Sequence, residues 1–275
     1  MGLATPKNYN TIWQTNLTAT PNTTNAGTRT TASATPHAKG SWSTIMTATY
    51  DSYGFWLMCQ GTATSATRTD SMIDIGFGTS GSPENIILPE WLTGWRGTPN
   101  LSPQVTYFPI FIPKGAIVQI RSQALIASDT IDVNMWLCGG VSGMMGPIFA
   151  GCDAYGTAIA SSIGTSHTPG STGTESTAAN IGGTMSKNYG AVMLGLGGTL
   201  ATTTQTNIAY HWELVIGTFT VCEWYSQAHT TEVNSGPFPP VPYYVSVASG
   251  TQLQVRAEGS GTPALAQDIA FYCFY

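Results

Sequence analysis

The chain has 275 residues, 42% of them hydrophobic, which is enough apolar material for about two domain cores and too much for a disordered chain. Only 23 residues are Asp, Glu, Lys or Arg, and threonine alone, at 41, outnumbers them. With nine cations spread over the chain and a net charge of −5, no phosphate track can be neutralised, so nucleic acid is excluded as an expected partner.

So little charge is a solubility risk for a free monomer. It suits a chain whose surface is covered by neighbouring subunits. A secreted protein kept soluble by hydroxyls is the other explanation. No apolar run reaches the ~18 residues of a membrane span. No N-terminal charged start is followed by an apolar leader, so synthesis in the cytoplasm is expected and no membrane partner.

Residues 1–40 are rich in Thr, Asn, Ala and Pro and lack apolar periodicity, which predicts an extended N-terminal arm. A β pattern follows: Tyr53–Gln60, Ser71–Phe77, Thr106–Ile112, Ala116–Gln123 and Ile131–Cys138 are short apolar runs separated by Gly, Pro, Ser and Asn. No window has a 3.6-residue period. Leu88–Trp95 comes nearest, and Pro89 and Gly94 limit it to one helical turn. Residues 139–186 form a second Gly/Ser/Thr-rich stretch, read as a linker or inter-domain arm.

The chain repeats itself. Lys114–Arg121 (KGAIVQIR) answers Ser249–Arg256 (SGTQLQVR) at an offset of 135, and the same offset carries Cys138 onto Cys273. Tyr53–Met58 answers Tyr189–Leu194 at 136, and Ile73–Ile75 answers Trp212–Leu214 at 139. Four matches in one order point to duplication. The fold expected is all-β: two tandem β-sandwich, jelly-roll-like domains at 41–138 and 187–275, each preceded by an arm.

Chemistry-bearing patterns are weak. Gly76–Gly81 reads GxGxxG but runs into Ser82-Pro83-Glu84-Asn85 rather than a helix, so it is a loop and not a dinucleotide cradle. Asp74 and Glu213 occupy matched places, which duplication explains without catalysis. His37, His167, His211 and His229 form no HxH or HExxH pattern, although His211 and His229 could sit on neighbouring strands. Cys59, Cys138, Cys152, Cys222 and Cys273 are odd in number and lack a CxxC pair. Buried thiols are expected, with a late disulfide as the alternative. No catalytic, cofactor or metal site is expected.

Five residues are candidates for contact. Arg121 and Arg256 stand at equivalent strand positions and are either locally paired or subunit contacts. Trp91, Trp95 and Trp224 are read in long connections, as packed caps or as anchors for a partner or a sugar.

Ser41-Trp42, the DxxG turn Asp51–Gly54, the run Ile73–Ile87 (IDIGFGTSGSPENII) and Phe108–Gln123 (FPIFIPKGAIVQIRSQ) resemble a group of tailed-bacteriophage virion structural proteins. The likeness covers Ser41 to Cys138 well and the rest weakly. The second copy keeps the last strands but has Glu213–Gly217 (ELVIG) in place of IDIGFG. The resemblance implies a virion component: a head decoration or cement protein bound to the major capsid protein or other virion proteins, or else a tail, collar or fibre protein that binds host carbohydrate. A homo-oligomer is expected, with three chains imitating a six-fold ring.

Overall fold

The computed structural model describes residues 12–16, 27–61, 70–79, 82–93, 104–139, 146–199, 208–228, 236–260 and 266–275. Among these the architecture is all-β, with a 3-10 turn at Ile159–Ser161 and no α-helix. β1 (Ile12–Thr15), β2 (Thr28–Thr31), β3 (Ser43–Thr47), β4 (Ser52–Gly61), β5 (Ser71–Gly78), β6 (Asn85–Leu92), β7 (Gln104–Phe108), β8 (Ile117–Ala124) and β9 (Thr130–Gly139) build the first unit. β10 (Cys152–Tyr155), β11 (Thr165–His167), β12 (Ala179–Thr184), β13 (Ala191–Thr199), β14 (Ile208–Ile216), β15 (Phe219–Ala228), β16 (Gln252–Gly259) and β17 (Gln267–Phe274) build the second.

In the first unit the sheet β2-β9-β4-β7, extended by β1 along β9, faces the sheet β3-β8-β5-β6. All these pairings are antiparallel. This is the strand order of a jelly roll. The second unit repeats it: β10 and β11 flank β17, then β13, then a bridge from Val192 to Tyr243 where β7 would stand. The facing sheet is β12-β16-β14-β15. The turns match as well. Asp51 Oδ1 accepts from Lys114 N, and Asn188 Oδ1 accepts from Ser249 N. Gly115 and Gly250 follow with φ of 85° and 82°, the left-handed region that favours glycine.

Two expectations about boundaries change. Residues 1–40 and 139–186 were expected as arms. They supply β1 and β2, and β10 to β12, as the first strands of each sandwich. Their hydroxyl-rich composition hides this because the strands are short and lie at sheet edges, where one face stays wet. Leu88–Leu92, the described part of the stretch that allowed at most one helical turn, lies in the strand β6, whose pairing with β5 slips a register around Pro89 and Glu90, and residues 94–95 lie outside the described residues. Edge strands tolerate proline because one row of N–H groups has no strand to bind.

The repeat holds, with two corrections of one residue. Arg121 pairs with Asp74 and Arg256 pairs with Glu213, so offsets 135 and 139 stand for those strands. Core-facing Phe55 pairs with Leu137, whereas core-facing Val192 pairs with Cys273. Phe55 therefore answers Val192, and Leu137, not Cys138, answers Cys273. A one-residue slip matters because it moves a side chain to the other face of the sheet.

That alternation builds the junction between the sandwiches. On β13 and β17, Val192, Leu194, Ile269, Phe271 and Cys273 point into the second core. Ala191, Met193, Ala270, Tyr272 and Phe274 point the other way and join the first core. The outer face of one sandwich thus closes the β6–β7 edge of its neighbour, and β17 is buried along its whole length.

Candidate functional site

Trp91 anchors the junction. It lies inside the first sandwich at its edge, with its ring 4.9 Å from Phe108 in a T-shaped contact and 4.6 Å from Tyr272 of the second. The Tyr272 hydroxyl accepts from Leu92 N at 2.8 Å and donates to Glu90 O at 2.7 Å. One phenol thus satisfies two backbone groups of the irregular stretch in β6. The second sandwich has its own wedge, with Trp224 against Tyr243 at 5.1 Å and 85°. Trp224 also donates no hydrogen bond among the described residues and is fully buried.

On the outer face of the first unit, alternation along β5 places Asp74 opposite Arg121 of β8. Asp74 is buried, and its carboxylate meets Arg121 Nε at 2.7 Å, Lys39 Nζ at 2.8 Å and Glu90 N at 2.8 Å. A carboxylate removed from water needs such partners. Lys39 also reaches Glu90 at 3.3 Å, so its ammonium bridges two acids. Glu90 has φ 52°, and its other oxygen accepts from Thr157 of the second unit at 2.6 Å. Arg121 is covered on its other side by Trp42, 4.5 Å from guanidinium to ring.

The copy on the second sandwich is different. Glu213 binds Arg256 at 2.6 Å, and Arg256 also meets Glu175 at 3.2 Å. Glu213 faces Glu223 across β14 and β15, and His211, two residues along β14, lies 3.3 Å from Glu223. Among the described residues this is the one group of three whose donor atoms fit a metal ion by proximity, all within 4.8 Å of one another. His211 stacks on Tyr225 at 4.9 Å. Tyr225 is 53% exposed and Phe238 is 68% exposed. They border a groove of about 290 Å³ together with Ala209, Tyr210, Ser226 and Gln227.

The five contact candidates are placed as follows. Arg121 and Arg256 are paired within the chain. Trp91 and Trp224 are not in connections; they lie in the edge strands β6 and β15 and are buried, β6 having been hidden by the Pro89 and Glu90 break in its alternation. Neither offers its indole to a partner. Trp95 lies outside the described residues, as does His229. The sequence reading missed Tyr272, Lys39, Glu90 and the His211–Glu223 pair. His211 and Glu213 as an alternate-residue pair on a strand was the one legible signal. All five cysteines are free and buried, and burial pushes the Cys59 and Cys222 thiols up to about 12.

Fold and site together define a duplicated jelly-roll protein joined face to edge. No family model and no curated protein matches the chain. Among solved structures it is similar to PNGF-II in a P21 crystal form, at 7% identity over 85% of this chain. The chain spans 59% of the length of that structure, and the TM-score is 0.34, too loose a superposition to carry an argument about function.

Proposed function

We propose that this chain is a non-enzymatic structural protein of a tailed-bacteriophage virion, a head decoration or cement protein that stabilises the capsid. The observation that carries the reading is the use of an outer sheet face as a protein-binding surface. Trp136 and Trp56 of the first sandwich form the cross-strand pair that Tyr272 and Met193 form in the second. In the second sandwich that face is buried at the junction. In the first, Trp56 and Trp136 are half-buried, and Val105 beside them is 42% exposed. A face of this kind, on a surface nearly without charge, fits contact with the major capsid protein or another virion subunit. A cement protein binds the assembled state and adds its interface energy to the particle. Six sandwiches from three chains would form a closed ring.

The test is immunogold labelling of virions of the encoding phage, with the solution mass of the purified chain. Label over the heads and a trimer mass support the reading. Unlabelled virions overturn it. A second reading, a tail, collar or fibre protein that binds host carbohydrate, is favoured by the exposed rings of Tyr225 and Phe238 at their groove. Label at the tail and a saccharide bound at that groove would select it.

A further inference from the structure

We propose that the second sandwich carries a binding site for a divalent transition-metal ion, with His211, Glu213 and Glu223 as its protein ligands. This goes beyond the virion reading and does not depend on it. The period of two along β14 puts His211 and Glu213 on one face, and pairing with β15 sets Glu223 opposite Glu213. Arg256 and Thr220 both bind Oε2 of Glu213, which leaves its other oxygen as the donor for a cation.

The internal copy supplies the independent observation. Glu213 answers Asp74, and Glu223 answers Glu90, because Trp224 and Trp91 are matched partners of Trp212 and Ile73. In the first sandwich a cation already sits between these two carboxylates: Lys39 Nζ, at 2.8 and 3.3 Å. The matched backbone position in the second sandwich is Glu175. Gly40 N binds Ser122 O, just as Ser176 N binds Ala257 O, which aligns Lys39 with Glu175. The cation is thus replaced by a further acid. Gln123 is likewise replaced by Glu258, which pairs across from His211. The first cluster balances two carboxylates with an ammonium and a guanidinium. The second sets four carboxylates against the Arg256 guanidinium, with an imidazole at the gap. A divalent ion there restores most of the missing positive charge.

One imidazole and two carboxylates select Zn²⁺, Co²⁺ or Ni²⁺ over Mg²⁺ and Ca²⁺. A tetrahedral centre with bonds of ~2.1 Å needs donors about 3.4 Å apart. His211 and Glu223 already stand at 3.3 Å, and the Glu223 side chain is half exposed and free to swing. Three protein ligands leave the fourth position to water or to a group from a partner.

The experiment titrates the full chain, stripped with EDTA, with ZnCl₂ and CoCl₂ by calorimetry and visible absorption. The expected result is one ion per chain at micromolar concentration or below, with d–d bands for Co²⁺. Glu223→Gln, a half-exposed site that leaves the fold intact, should weaken binding at least tenfold. His211→Ala should remove the Co²⁺ bands. Glu90→Gln, the matched change in the first sandwich, should leave binding unchanged. No binding up to millimolar metal overturns the proposal, and so does binding that survives both Glu223→Gln and His211→Ala.

Discussion

The junction makes its sharpest demand on one hydroxyl, and Tyr272→Phe tests it. The substitution keeps the ring on Trp91 and removes a single oxygen atom. That oxygen serves Leu92 N and Glu90 O, both inside the interface between the sandwiches. Water cannot replace it, because Tyr272 is completely buried. A buried backbone group left without its partner costs ~1–3 kcal/mol. Two such groups, partly relieved by relaxation of the irregular β6 backbone, give a loss of about 2–4 kcal/mol. Urea unfolding followed by tryptophan fluorescence reads this as a fall in midpoint at constant slope. Tyr243→Phe is the control. Its hydroxyl donates to Glu223 O at 2.7 Å in an exposed setting, where water substitutes and the loss should stay under ~1 kcal/mol. If Tyr272→Phe unfolds within 0.5 kcal/mol of the parent, the two sandwiches are not locked as described. If it splits one transition into two, the junction rather than each core is what makes unfolding cooperative.

Asp74→Asn should destabilise by about 2–3 kcal/mol, because it strands the Lys39 and Arg121 charges, each still about a quarter exposed to water; thermal denaturation checks this. Buried His167 stays neutral, with its pKa pushed down by burial to about 4 from 6.5. Below pH 6.5 the unfolded chain takes up a proton that the folded one refuses. Stability should therefore fall between pH 6.5 and 4 by about 3 kcal/mol and then level off, and His167→Gln should flatten that part of the stability–pH curve. The native chain should show almost no reaction with a thiol reagent near pH 8, and five thiols should react after unfolding in guanidinium, since all five are buried and burial raises their pKa values.

The strands with strong apolar runs were legible: β4, β5, β8 and β9 fall within a residue or two of where the pattern put them. The repeat also matched Asp74 with Glu213 and Arg121 with Arg256, but the ion pair of each acid with the arginine of its own unit is visible only in the structure. The strands made of Thr, Ser, Asn and Gly were not legible. β2 reads TRTT and β12 reads ANIGGT, and nothing in such composition separates a half-wet edge strand from a loop. β6 was legible only at its start, in the β-like Ile86–Pro89, and the rest was missed for another reason. Pro89 and Glu90 break the alternation at the place where Glu90 turns toward Lys39 and Thr157, so the functional contact is itself what disturbs the pattern. Lys39 could not be joined to Asp74 and Glu90 in advance, because its chain segment looked like arm.

The one-residue errors in the repeat come from the same physics that builds the junction. In a sandwich standing alone, each strand has a wet face, and alternation fixes which residues look inward. β17 has no wet face, since Tyr272 and Phe274 enter one core while Phe271 and Cys273 enter the other. Its sequence, QDIAFYCF, therefore carries no period of two, and matching it to β9 by its cysteine set Cys273 on the wrong partner. β9 keeps more alternation, with Asp132 and Asn134 on the face away from the core. The difference between the two copies is thus a record of what each outer face touches. The second has become apolar because a neighbour covers it within the chain. The first is mixed, with two half-buried tryptophans among polar residues, as a face in contact with water is.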